Sequence, residues 1–138
     1  MSDTQPNRLA RGLQAIEHLD QPLGNPYGLL HGMRLQAPEF KQHFLEDFGD
    51  YFRPDQVVDE KTRTLLSLAL ACTAGTPPDL LEFCAAAALK QGWQRKQVLS
   101  TVELSALFNG WPAAIAATQT VMATFSKLDN QAMEANKS

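Results

Sequence analysis

Residues 59–92, DEKTRTLLSLALACTAGTPPDLLEFCAAAALKQG, contain the longest apolar run of the chain, and each half carries its own helix punctuation. Asp59 is an N-cap residue type ahead of an acidic first-turn residue, Glu60, and Gly75 can take the left-handed conformation that closes a helix. A second start follows at once. Thr76 can cap, Pro77 suits the first helical position where its missing N–H costs nothing, Asp79 falls in the first turn, and Gly92 closes. The stretch therefore predicts a hairpin of two helices, each of about four turns. Between Leu65 and Cys72 only Ser67 is polar, and between Leu80 and Leu89 only Glu82 is. A helix apolar almost all the way round has to be covered on every side. A chain of 138 residues buries roughly two-thirds of its unfolded surface, so neighbouring subunits are expected to supply part of the cover. The alternative is a central core hairpin within a monomer.

The flanking segments read as further helices. Residues 7–20 place Leu9, Leu13, Ile16 and Leu19 at helical spacing, with Gly12 a slight weakness. Pro22 and Gly24 break the chain, and Pro26 can open a short helix to about Leu35 that carries His31. Pro38 starts an element in which Phe40, Phe44, Leu45, Phe48 and Phe52 recur along one face, most simply a core stripe; residues 53–58 form a loop. After Gly92, residues 94–109 put Val98, Leu99, Val102, Ala106 and Leu107 on one face, without a strong capping residue at the start and with Gly110 as the stop. Pro112 begins the last helix, where Ile115, Met122 and Phe125 fall on an apolar face, and the polar tail from Asp129 is expected to fray. No segment alternates as a strand would. The expectation is an all-α single domain of about six helices around the central hairpin, with its core over residues 8–127.

Composition narrows the function classes. With 12 basic and 15 acidic residues, a net charge of −3 and no Lys/Arg cluster, nothing points to a nucleic-acid partner. No run approaches the roughly 18 uninterrupted apolar residues of a membrane span, and the N-terminal residues lack an apolar signal core, so the chain is expected in the cytoplasm and off the membrane. Cys72 and Cys84 form neither a CxxC pair nor a zinc set, and reduced thiols are the expectation. No cofactor is expected.

The run DEKTRTLLSLALACTAG, followed by LLEFCAAAALKQGW and KQVLSTVELSALFNGWPAAIAA, resembles the carboxymuconolactone decarboxylase family, related to alkyl hydroperoxidase D, over about residues 40–125. Its markers are Lys61-Thr62-Arg63, Ala88-Leu89 with Gly92, Gly110-x-Pro112-Ala113-Ala114, and the aromatic-Gly-Asp segment Phe48-Gly49-Asp50-Tyr51-Phe52. The resemblance implies a helical subunit assembled into trimers or hexamers, a small-molecule substrate and a role in aromatic compound catabolism. It also marks departures. Thr64 stands near a family Glu, Thr76-Pro77-Pro78-Asp79 occupies the turn where alkyl hydroperoxidase D-type members carry CxxC, Cys84 replaces a His, Glu46-Asp47 stand where another His often precedes the aromatic segment, and Ser100 aligns with a second Glu.

Four residues are candidates for a site. Cys84 lies among Phe83 and alanines, reading first as a small buried hydrophobe and second as a pocket lining. Glu103, between Leu99 and Leu107 on the helical wheel, is expected to face an apolar pocket or a subunit seam, either as an acid/base group or as a paired carboxylate. His31 and Arg63 are candidates for holding substrate, with His43 a further source of imidazole; Glu82 reads as a helix-surface residue. The first functional expectation is a cofactor-free lyase acting on a small carboxylated lactone or related acid. The second is an oligomeric binding or scaffold protein that has lost that chemistry. The third, a thiol-dependent peroxidase, lacks the paired thiols it needs.

Overall fold

Asp59 caps the hairpin as its position predicts: its carboxylate accepts from the Thr62 N–H at 3.1 Å and from the Thr62 hydroxyl at 2.8 Å. The computed structural model describes residues 5–21, 23, 37–53 and 55–137. These form the helices α1 (Gln5–Leu19), α2 (Pro38–Tyr51), α3 (Glu60–Ala71), α4 (Pro78–Lys90), α5 (Arg95–Asn109) and α6 (Trp111–Ala135), and no strand occurs among them. The predicted short helix around His31 lies outside the described residues. Gly75, Gly92 and Gly110 all adopt positive φ; Gly92 and Gly110 close α4 and α5 as predicted, whereas α3 already ends at Ala71, with Cys72 as its C-cap, ahead of Gly75.

Helix α4 is the axis of the structure. Residues 83–88 are buried without interruption, as is Leu81. Helices α1, α3, α5 and α6 all pack against it. Alanine at 85–88 lets these neighbours approach closely, and the facing seam of α6 is correspondingly small: Ala113, Ala114, Ala117 and Val121 are buried there. The apolar face expected on the last helix is therefore rotated. Phe125 is buried as predicted, but Ile115 and Met122 are exposed. The start of α4 also differs from expectation. Pro77 takes the cap position and Pro78 follows it, while the Thr76 hydroxyl pairs with Thr73 at 3.0 Å instead of capping. At the start of α5 the Gln94 N–H donates to the Gln97 side-chain oxygen at 2.9 Å, a cap built from a residue type that gives little warning of it. Past Asp129 the last helix continues to Ala135, with Asp129 held by a two-pronged contact from Arg95 at 2.6 and 3.3 Å.

The hairpin's two members differ in cover. Helix α3 buries Thr64 and Leu68 but leaves Leu66 and Leu70 exposed, the latter at 77%. Burial within one subunit thus runs unbroken through residues 83–88 of α4 and finds no counterpart in α3.

Helices α1 and α2 meet at glycines. A Cβ at Gly12 would overlap the Leu45 carbonyl, and one at Gly49 would lie 2.7 Å from the Gly12 backbone nitrogen. Beside this crossing, Arg8 donates to the buried Glu46 at 3.1 Å and to Asp50 at 2.7 Å, and Arg11 also reaches Asp50. The aromatic-Gly-Asp segment therefore has a structural job: Gly49 admits α1, and Asp50 fastens it. Those arginines hold the Asp50 carboxyl below its ordinary value.

Gly12→Ala tests this crossing. The substitution adds roughly 1 kcal/mol of helix propensity. Against it stands overpacking onto a backbone carbonyl that cannot rotate away, which costs about 1–3 kcal/mol or more. A net loss is expected, read as a lower urea midpoint with unchanged slope; a midpoint at or above that of the parent would show that the helices separate freely here.

Candidate functional site

The recurring phenylalanines of α2 do not close on the hairpin. Phe44, Phe48 and Phe52 face α3 and α4 across a cavity of about 370 Å³, whose other walls include Leu19, Thr64, Ser67, Leu70, Thr76, Leu80, Phe83 and Cys84. The aromatic wall is ordered by ring contacts: Phe48 stacks on Phe52 at 4.4 Å, meets Phe83 edge-on at 5.9 Å, and tilts against Phe44 at 5.9 Å. Polar atoms come from α3 and the turn. The buried Thr64 hydroxyl donates to the Lys61 carbonyl at 2.6 Å, and the Ser67 hydroxyl to the Arg63 carbonyl at 2.8 Å.

Cys84 projects from the middle of α4 into this cavity's wall and is 8% exposed. Burial pushes its thiol up to about 12, with Cys72 adding to the rise. Cys72 is raised as well, again by burial, partly offset by the Ser105 hydroxyl. Both thiols are thus protonated near neutrality and poor nucleophiles.

The other candidates lie elsewhere. Glu103 is exposed on α5 and is not among the residues that line this cavity, which corrects the expectation of an apolar pocket at that position. The physical reason is that α5 has two apolar arcs. Val98, Val102 and Ser105 turn inward, whereas Leu104, Leu107 and Phe108, the neighbours of Glu103, are 60–78% exposed. Arg63 is committed to backbone support: its guanidinium donates to the carbonyls of Val58 at 2.9 Å and Tyr51 at 2.8 Å and to the Gln56 side chain at 3.0 Å. His31 lies outside the described residues. His43, with Phe40, Asp47 and Tyr51, lines an open concavity of about 380 Å³ that shares Phe44, Phe48 and Phe52 with the main cavity. Glu82 pairs with Lys127 at 2.8 Å, as suits a helix-surface residue. No group of three His, Cys, Asp or Glu side chains suited to a metal ion occurs among the described residues.

The structure thus brings Cys84 together with residues that sequence reading treated as packing. Thr64 was noted only for standing near a family Glu, and Ser67 only as the single polar interruption of an apolar run. That interruption was the available signal, because a hydroxyl inside an apolar helix has to satisfy itself on its own backbone or face a cavity.

A sequence model described as the carboxymuconolactone decarboxylase family matches residues 38–123. No curated protein matches the chain. No helix among the described residues is long and apolar enough to cross a membrane.

Cys84 supplies a direct measurement. A rise from 9.0 to about 12 lowers the thiolate available near neutrality by roughly a hundred- to a thousandfold. Native alkylation by iodoacetamide, mapped by peptide mass, should therefore be slower at Cys84 than in the urea-unfolded chain by at least about a hundredfold. Comparable native and unfolded rates would mean that the thiol is neither buried nor neutral.

Proposed function

Because the chain belongs to the carboxymuconolactone decarboxylase family, we propose that it uses the family's helical subunit as an oligomeric small-molecule binding protein, without the acid/base chemistry of a decarboxylase. One observation carries this reading: among the described residues that line the cavity Cys84 is the single titratable side chain, and its raised pKa keeps it neutral. Decarboxylation requires a group to hold a carboxylate, stabilisation of the enolate left when CO2 departs, and a proton delivered to carbon. A wall of phenylalanine, leucine and hydroxyls supports binding and supports none of those three steps. The aromatic lining also suits a role in aromatic compound catabolism as carrier or sensor, and two reduced thiols suit the cytoplasm.

The family match favours a second reading, a cofactor-free lyase in which Glu103 serves as acid/base group across a subunit seam. Offered a small carboxylated lactone, the protein is expected to release no CO2 above the buffer blank. Turnover that persists through purification and disappears in Glu103→Gln would overturn the binding reading in favour of the lyase. A thiol-dependent peroxidase draws no support from two cysteines that are both buried with raised pKa values.

Assembly into trimers or hexamers is part of the proposal. Leu66 and Leu70 on α3, Leu107 and Phe108 on α5, and Trp111 and Ile115 on α6 are all about half or more exposed in the single subunit, and apolar side chains in such numbers support a protein–protein contact. Light scattering should give three or six times the subunit mass. Glu103→Gln, set among those exposed leucines, should shift the distribution toward smaller species if its carboxylate is paired at the seam. A monomer at micromolar concentration would remove the reading of these side chains as an interface.

A further inference from the structure

We infer that the aromatic cavity selects a neutral two-ring ligand bearing a hydrogen-bond donor, a phenol or aromatic alcohol, and rejects carboxylates. The inference rests on the reading of this cavity as a ligand site and specifies what the site takes. Size comes first. At about 370 Å³ the cavity is more than twice the roughly 150 Å³ of an apolar cavity that holds benzene, which suits two fused rings. Ring geometry comes second. Phe48 stacks face to face on Phe52 and meets Phe83 edge-on, so the wall offers both ring faces and ring edges to an aromatic guest.

The polar wall decides the rest. A hydroxyl has one hydrogen to give and two lone pairs that accept. Thr64 gives its hydrogen to the Lys61 carbonyl, and Ser67 gives its hydrogen to the Arg63 carbonyl. What these side chains retain is acceptor capacity; the Thr76 hydroxyl shares a hydrogen bond with Thr73, and no Lys, Arg or His is among the described lining residues. A carboxylate brings only acceptors and a charge, so against the described lining it would meet at most the Thr76 hydroxyl as a donor and no cation, and most of its desolvation would go uncompensated. A phenolic O–H brings the missing donor. A bare hydrocarbon fits but leaves the acceptors unused.

Calorimetric titration of the purified protein with naphthalene, 2-naphthol and 2-naphthoate separates these cases on one skeleton. The expected order is 2-naphthol tighter than naphthalene by roughly three- to tenfold, the worth of one hydrogen bond. The carboxylate should bind on the order of a hundredfold more weakly than the naphthol, or not measurably. Thr64→Val, close to isosteric, and Ser67→Ala each remove an acceptor and should reduce the naphthol preference while leaving naphthalene affinity within about twofold. The comparison in the parent protein needs no variant, and Ser67→Ala carries the test if Thr64→Val fails to fold. Naphthoate binding as tightly as naphthol, or naphthol no tighter than naphthalene, overturns the donor inference while the cavity stands as a ligand site. Failure of all three to bind removes the ligand site and the inference with it.

Discussion

Everything in this subunit is arranged around one helix whose middle, residues 83–88, is buried. Helix α4 can be covered by four neighbours only because its middle is a run of alanines, 85–88, so that the surrounding helices come near without needing bulky side chains to interlock. The same economy has a cost. Small side chains contribute little buried area each, and the larger residues that complete the core, Leu45, Leu68, Val98, Val102 and Val121, are supplied by the neighbours. Helix α2 is not one of those four, and its phenylalanines stack on one another rather than filling the space against Cys84. The cavity is the consequence of an alanine-rich axis met by an aromatic helix.

The crossing of α1 over α2 shows a second kind of constraint, contact of backbone with backbone. Gly12 and Gly49 remove the side chains that would hold the helices apart, and the Arg8–Glu46–Asp50 group fixes the register along them. Asp50 is held below its ordinary carboxyl value, so its contribution is present above that value and is lost as the pH falls through the lower folded-state pKa.

Much of this was legible in the sequence, for identifiable reasons. Stops at Gly92 and Gly110 and the cap at Asp59 are local: the residue type and its immediate neighbours determine the backbone. Periodicity likewise marked the apolar faces. What it does not reveal is what stands opposite a face. The phenylalanines of α2 were read as core because a stripe of that period looks the same whether its partner fills the gap or leaves a cavity. Glu103 is expected at an apolar pocket or a subunit seam and is exposed in the single subunit because α5 has apolar residues over more than one arc, and a helical wheel does not say which arc the subunit keeps for itself. Gly12 looked like a defect, since propensity counts what a residue does to its own helix and not what another helix needs of it. The structural role of Arg63 has no signal in the sequence, because two of its partners are backbone carbonyls.

Leu70 belongs to two surfaces at once. It lines the aromatic cavity and yet is among the most exposed apolar residues of the subunit. A second copy that covers Leu70 would rest on the cavity's own wall, and a molecule lodged inside would press on that wall from behind. Any coupling between two such events would be reciprocal: whatever factor occupancy contributed to association, association would return to occupancy. An exposed leucine at the mouth of a cavity is in this sense a thermodynamic hinge, joining the chemistry of the inside to the company kept outside.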